Sequence, residues 1–371
     1  MAIAAAMRTA AGRRPASLAL AAVLVLAPLG LAVDVVHTAF NAHRFGDFGI
    51  FYDAARQVVH GRSPYPAATV HALRHQNQFV YPPFAALVLV PLAVLPLQLA
   101  GGLMLLVSAV ALMAALWLAG VRDWRCGAVA LLSIAVAQGL VLGTITPLLT
   151  LALAAAWRWR DRPWVVAVAL ACAIAAKVFL APVVLWLLFT RRFRAAVLST
   201  GLSAALIVGS WLVIGFRDMA GYPHLLAVLS QVEETHGYSV VALCLHLGLA
   251  AGAARVVACG VGAALAVVAF AVRRGGRADA GVFGLAILIC LALSPVVWLN
   301  YLTLVLPALA ALRPRLSPLW LCLLAVWFFA GGNAVIDTWR VVLWQVDVAV
   351  LALAFAGVRM PALRRSVAVA T

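Results

Sequence analysis

The sequence predicts an all-α, polytopic transmembrane protein, a single integral membrane domain over residues 1–371. Three observations carry that expectation. Hydrophobic residues make up 66% of the chain and charged ones only 10%, against about a quarter charged in a soluble domain, and the mean hydropathy is +1.10. A surface this apolar is solvated by lipid. The apolar residues also form continuous Leu-, Ala- and Val-rich runs that suit spans of about 20 residues. They lack the short alternating pattern of a membrane barrel, so the spans are helices. Finally, clusters of arginine punctuate the runs.

Taken in order, a first helix covers about 16–38. It is read as a retained span because the apolar run after Arg13 and Arg14 continues to Val36 with no small-residue cleavage site. A polar external segment follows to Phe79. Residues 81–97 are apolar but broken by Pro82, Pro83, Pro91 and Pro96, which suggests a partly inserted hairpin. A helix over 98–120 returns to Arg122 and Arg125. Residues 126–157 are too long for one span and fit two short helices meeting near Gly143-Thr144-Ile145-Thr146-Pro147. Residues 164–189 repeat the pattern, with Lys177 near the middle. A helix over 196–215 leads to a second external segment, 216–238. Helices over 254–272, 279–293, 299–312, 317–336 and 340–358 complete about 12 crossings, with both termini on one side.

The net charge of +16 is distributed by side. Of the 26 arginines, 19 fall in loops or tails of one face. That asymmetry makes the face cytoplasmic and puts both termini of a multi-pass plasma-membrane protein inside. Anionic lipid headgroups account for the charge, and a nucleic-acid partner is not expected. All eight histidines, with Glu233 and Glu234, fall in or beside the external segments, about 40–80 and 216–238. Titratable groups therefore concentrate on the outer face. The six cysteines have no metal-ligand spacing and read as small buried hydrophobes.

Three constellations carry chemistry. From Phe48 to Val59, apolar residues recur at 48, 51, 52, 55, 58 and 59, the pattern of an amphipathic helix lying on the outer membrane surface. Asp47 stands at its start. An aspartate there caps the helix, and the same carboxylate beside the lipid plane is placed to deprotonate a hydroxyl; the two roles are compatible. Asp53, three residues before Arg56, is explained by a surface pair. Lys177 is the only lysine, set in an apolar run. An intramembrane charge is a functional candidate by default. As part of one helix it is too far from the flanking arginines to snorkel; at the tip of a hairpin it faces the outer side, where an ammonium binds phosphate. The third cluster is Ser294-Pro295-Val296-Val297-Trp298-Leu299-Asn300-Tyr301, more polar than an interfacial aromatic belt requires. His71 and His75 have metal-ligand spacing but no evident third ligand, so no metal is expected.

Asp47-Phe48 with Phe51-Tyr52, Ala54-Ala55, Gly61, Pro64-Tyr65, Tyr81-Pro82-Pro83 and Pro91-Leu92 resembles the first external loop of glycosyltransferase family 87. Lys177, Arg191-Arg192-Phe193-Arg194, Gly237-Tyr238-Ser239 and Ser294-Pro295-Val296-Val297-Trp298 follow in that family's order. The resemblance spans roughly residues 30 to 310. It implies the GT-C membrane architecture and an inverting transfer of a sugar, mannose, from a polyprenyl-phosphate donor to a lipid-linked or glycan acceptor on the extracytoplasmic face, with no cofactor. Asp47 would be the general base, with Lys177 and Arg62 binding the leaving phosphate. Tyr52, Tyr65, Tyr81, Trp298 and Asn300 would complete the substrate site. The proline-broken segment 81–97 would shape a groove for the polyprenyl tail. The chain departs from the family at Thr144 and Thr146, where Gln and Asn are frequent, at Pro182, which follows the lysine less closely, and at Asn300-Tyr301, where the mannosyltransferase branch tends to have histidines. A transporter or flippase using Lys177, Asp34 and Asp347 for coupling is the rival reading, although two repeated halves are not evident.

Overall fold

The computed structural model describes residues 2–41, 45–75, 79–274, 278–330 and 336–358, with side chains from residue 22 onward except those of His75 and Ala278. Arg8, Arg13, Arg14, Arg277, Arg359, Arg364, Arg365, His43 and the His75 ring, all used above, lie outside the described side chains.

The described residues form helices joined by turns, and no strand occurs among them. In chain order, α1 (Ala2–Asn41) leads to α2 (Asp47–Val59), α3 (Val70–His75), α4 (Pro83–Val88) and α5 (Val90–Ala93), then to the long α6 (Leu97–Leu118). Next come α7 (Trp124–Leu132), α8 (Ile134–Val141), α9 (Thr146–Arg158) and α10 (Pro163–Ala176). A 3₁₀ segment, Val178–Val183, separates α10 from α11 (Val184–Phe189). The long α12 (Phe193–Val213) precedes α13 (Tyr222–Glu233), α14 (Val240–His246) and the long α15 (Ala251–Val272). The chain continues through α16 (Ala278–Leu293), the 3₁₀ segment Leu299–Val305 and α17 (Leu306–Leu312) to α18 (Cys322–Ala325) and α19 (Thr338–Phe355).

Five helices are long and apolar enough to cross a membrane alone, and a sixth span results if α7 and α8, bent by 65° at Ser133, count as one. The twelve crossings expected from hydropathy therefore exceed what helix length supports. The difference lies in shorter apolar helices of 10–17 residues. Breaks fall at single polar or helix-breaking residues that a window average smooths over: Lys177 after α10, Ser294-Pro295 after α16, and Pro318 at the start of the 317–336 run, which breaks into short 3₁₀ and α pieces.

The segment 163–189 is a hairpin. Its two bases meet, because Arg192 pairs with Asp161 at 3.3 Å across its mouth. Lys177, in extended backbone between α10 and the 3₁₀ segment, is consequently its tip. The 14 residues of α10 place it about 21 Å from that base. Asp279, at the foot of α16, accepts from Arg192 at 2.8 and 2.9 Å and lies 2.9 Å from Arg160 at the foot of α9. Three apolar hairpins, α7–α9, α10–α11 and α16–α17, thus share a charged base and turn at the opposite end.

Over those turns lies a layer of short helices, the segments expected to be external. Of the expected apolar stripe of α2, Phe48, Phe51, Tyr52 and Ala55 are buried, together with Ala54, while Val58 is half-buried and Val59 exposed. What covers it is protein, namely α4, α5 and α6, and not a lipid surface. A 3.6-residue period shows that a face is apolar without showing what it meets. Burial of Phe48 and Phe51 contributes about 1.5–3 kcal/mol each. The second external segment contains α13, which forms a small core with α3 through Leu73, Leu225, Val228 and Val232. Arg217 donates to the Gly61 carbonyl and ties the two external segments together.

Candidate active site

Between the hairpin turns and the helices laid over them is a cavity of about 640 Å³. Its floor consists of Gln138 and Leu142 from the end of α8, Lys177 to Phe179, and Ser294 to Tyr301. Its roof consists of Asp47, Ile50 and Phe51 from α2, Val80 to Pro82, and one face of α13 that includes Tyr222, Ser230 and Glu233.

Asp47 reaches this cavity because two glycines let α2 sit directly on the α8–α9 turn. Gly46 has φ +56°, and a Cβ there would lie 2.8 Å from a Leu142 methyl and 3.1 Å from its Cα. Gly143 has φ +60°, and a Cβ there would lie 2.7 Å from the Phe48 Cβ. Only glycine tolerates both that backbone and that approach. The Phe48 amide then donates to the Leu142 carbonyl at 3.0 Å. Asp47 is the first helical residue and makes no capping hydrogen bond; Gly46 occupies the cap position. The cap role expected of Asp47 is therefore absent, and its carboxylate lines the cavity half-buried. Burial raises its pKa above the ordinary carboxylate value, and the Lys177 ammonium partly offsets the rise.

Lys177 is 4% exposed. Its Nζ donates to the Tyr301 hydroxyl at 3.1 Å and lies 4.4 Å from the Tyr301 ring centroid and 5.0 Å from that of Tyr81. Tyr301 stacks on Phe179 with centroids 5.0 Å apart, and Tyr81 stacks on Phe51 at 4.8 Å. Burial above all holds the Tyr81 phenol neutral, with a pKa well above its usual value. None of the ion pairs among the described residues includes Lys177. The ammonium is stabilised by neutral rings, an arrangement that holds a cation without cancelling its charge.

The floor loop is pinned from outside. Tyr238 N–H donates to the Val297 carbonyl at 2.7 Å, and Ser239 Oγ donates to the Pro295 carbonyl at 2.7 Å. A Cβ on Gly237 would come within 3.0 Å of the Val297 oxygen. The Gly237-Tyr238-Ser239 and Ser294–Trp298 motifs, far apart in sequence, are in direct contact.

Of the expected site residues, Asp47, Lys177, Tyr81, Trp298 and Asn300 line the cavity. Tyr52, Tyr65 and Arg62 do not. Tyr52 is buried and donates to the Leu95 carbonyl at 2.7 Å. Tyr65 donates to the Tyr81 carbonyl at 2.9 Å and stacks on Trp211, so it positions Tyr81 from behind. Arg62 is exposed. Asp34 is exposed on α1, Asp347 is buried in α19, and neither lines the cavity. Gln138, Glu233 and Tyr301 line it and were not among the expected site residues. Tyr301 stands in the Ser294–Tyr301 cluster without a role of its own, Glu233 is signalled only by its place in the 216–238 segment, and nothing in the sequence singles out Gln138.

Residues 79–295 match the model of glycosyltransferase family 87. The chain belongs to that family. This member is a membrane glycosyltransferase, consistent with its apolar helices. Comparison with curated proteins and with solved structures gives no match. The family match contains Tyr81, Lys177 and Glu233 but begins after Asp47 and ends before Asn300. Those two residues join the site through geometry.

Proposed function

We propose that this glycosyltransferase has the GT-C architecture and transfers mannose, with inversion, from a polyprenyl-phosphate donor to a hydroxyl of a lipid-linked or glycan acceptor on the extracytoplasmic face of the plasma membrane. The observation that carries the reading is that Asp47, from the external layer, and Lys177, from the tip of a membrane hairpin, line one cavity. The Asp47 carboxylate takes the acceptor's hydroxyl proton. The oxygen so freed bonds to the anomeric carbon as the bond from that carbon to the phosphate oxygen breaks. The polyprenyl phosphate departs with the electron pair, and Lys177 stabilises its growing charge in a site screened from water. The phosphate role falls to Lys177 alone, since Arg62 lies outside the cavity. A carboxylate whose pKa is raised by burial is a stronger proton acceptor than a free one, which suits a general base. The excess of arginine at the hairpin bases supports a cytoplasmic base and an external cavity.

The test is sugar transfer by Asp47→Asn with polyprenyl-phosphate mannose and extracted membrane glycolipids. Because Asp47 makes no capping bond, melting should match wild type while turnover falls by about 10²–10⁴-fold. Asp53→Asn, one and a half turns along the same helix, should retain substantial activity. Wild-type turnover by Asp47→Asn would remove the base from the mechanism.

A further inference from the structure

Two neutral oxygens on the cavity floor have no hydrogen-bond partner among the described residues: Gln138 Oε1 and Asn300 Oδ1. Both are buried, and both residues line the cavity. The elements that carry them pack together: a Cβ on Gly139, the residue after Gln138, would lie 3.5 Å from the Asn300 Cβ. The orientation of the Asn300 amide is set from behind. Its Nδ2 donates to Thr146 Oγ1 at 3.4 Å, which leaves Oδ1 as the unbonded end. Buried carbonyl oxygens are almost always paired, and leaving one unpaired costs folding free energy. A pair of them on a cavity floor is best explained by a ligand that brings its own donors.

We infer that Gln138 and Asn300 form a neutral acceptor pair that reads hydroxyl groups of the transferred sugar, with Thr146 as the residue that positions Asn300. The inference rests on the donor reading above and deepens it. The hydroxyls belong to the donor sugar because Asn300 directly precedes Tyr301, which holds the phosphate-binding Lys177. Charge favours amides at this place. A carboxylate would accept the same hydroxyls but would repel the phosphate bonded to the same sugar and pair with Lys177 in its place. An amide carbonyl accepts without either effect. Asp47 and Glu233, the carboxylates of the cavity, are on its other wall, in the external layer.

The experiment compares polyprenyl-phosphate mannose with its 2-, 3-, 4- and 6-deoxy analogues in wild type, Asn300→Ala, Gln138→Met and Thr146→Val. Wild type should lose about tenfold in kcat/KM for at least one deoxy donor, because a site built to bond a hydroxyl rejects the analogue without it. Asn300→Ala and Gln138→Met should each erase the penalty at the position they read. Thr146→Val should weaken the Asn300 penalty alone, which a merely structural threonine would not do. Gln138→Met preserves side-chain length and keeps the test intact if Asn300→Ala fails to fold. Deoxy penalties identical in wild type and all variants would overturn the pair while leaving the donor assignment standing. No turnover of the parent donor by wild type would overturn the donor reading and this assignment with it.

Discussion

The hairpin of α10 and α11 carries a cation at each end, and the two are treated in opposite ways. At the base, Arg192 is bound bidentately by Asp279 at 2.8 and 2.9 Å and reaches Asp161 at 3.3 Å. At the tip, Lys177 has one hydrogen bond, to a phenol, and the faces of two tyrosines. The first charge is neutralised by the fold and ties together three hairpins. The second is in no ion pair among the described residues and shares its cavity with the Asp47 carboxylate. An apolar environment makes a cation expensive, and in the proposed mechanism the departing phosphate supplies the anion that Lys177 meets. The bidentate geometry available to arginine suits a permanent clasp, and the compact ammonium of lysine suits a ligand that comes and goes.

The two ends can be separated by mutation. The largest effect is expected from Lys177→Ala: donor turnover falls by two orders of magnitude or more, in line with the loss of a charge stabiliser in a dry site, while thermal stability stays within experimental reach of wild type. Kinetics indistinguishable from wild type in folded Lys177→Ala would abolish the contrast. Arg192→Ala should behave in the opposite sense. Here a partly exposed ion pair is lost, worth about 1–3 kcal/mol after allowance for solvent, so melting temperature falls and kcat per folded molecule changes little. A normal melting curve with lost activity would move the arginine from clasp to site. The smallest effect is the most specific. The Asp47 pKa is raised by burial and lowered in part by Lys177. The base acts only when ionised, so activity rises with pH through that raised value. Removing the ammonium in Lys177→Met takes away the lowering influence, and the acidic limb of the residual activity should move to higher pH. A limb that stays put, or moves down, would show that the two groups do not sense each other across the cavity.

Much of the membrane framework was legible in the sequence. The expected helices at 98–120, 196–215, 254–272 and 340–358 are found at Leu97–Leu118, Phe193–Val213, Ala251–Val272 and Thr338–Phe355, because long apolar runs bounded by arginine leave few alternatives. The turning points near Gly143, Lys177 and Ser294 were legible too, since a glycine, a charge or a proline in an apolar run has to be accommodated. What was hidden is how those turns converge. No periodicity relates Gln138, Lys177 and Tyr301, whose meeting depends on three hairpins of similar depth packing side by side. Helix α13 was hidden because its apolar face is short and partnered by α3, another external helix. Tyr52 and Tyr65 misled for a related reason: a motif marks residues that belong together without distinguishing those that touch substrate from those that support it, and both phenols donate to backbone carbonyls.

The order in which the cavity walls appear along the chain has a consequence for biogenesis. A chain synthesised from its N-terminus delivers Asp47 and Lys177 to the membrane long before the loop that ends in Tyr301 exists. Until that loop is inserted, the lysine lacks the phenol it donates to, and the floor of the site is open on one side. A product truncated before Tyr301 would keep Lys177 beside the Tyr81 ring but without its one hydrogen-bond partner.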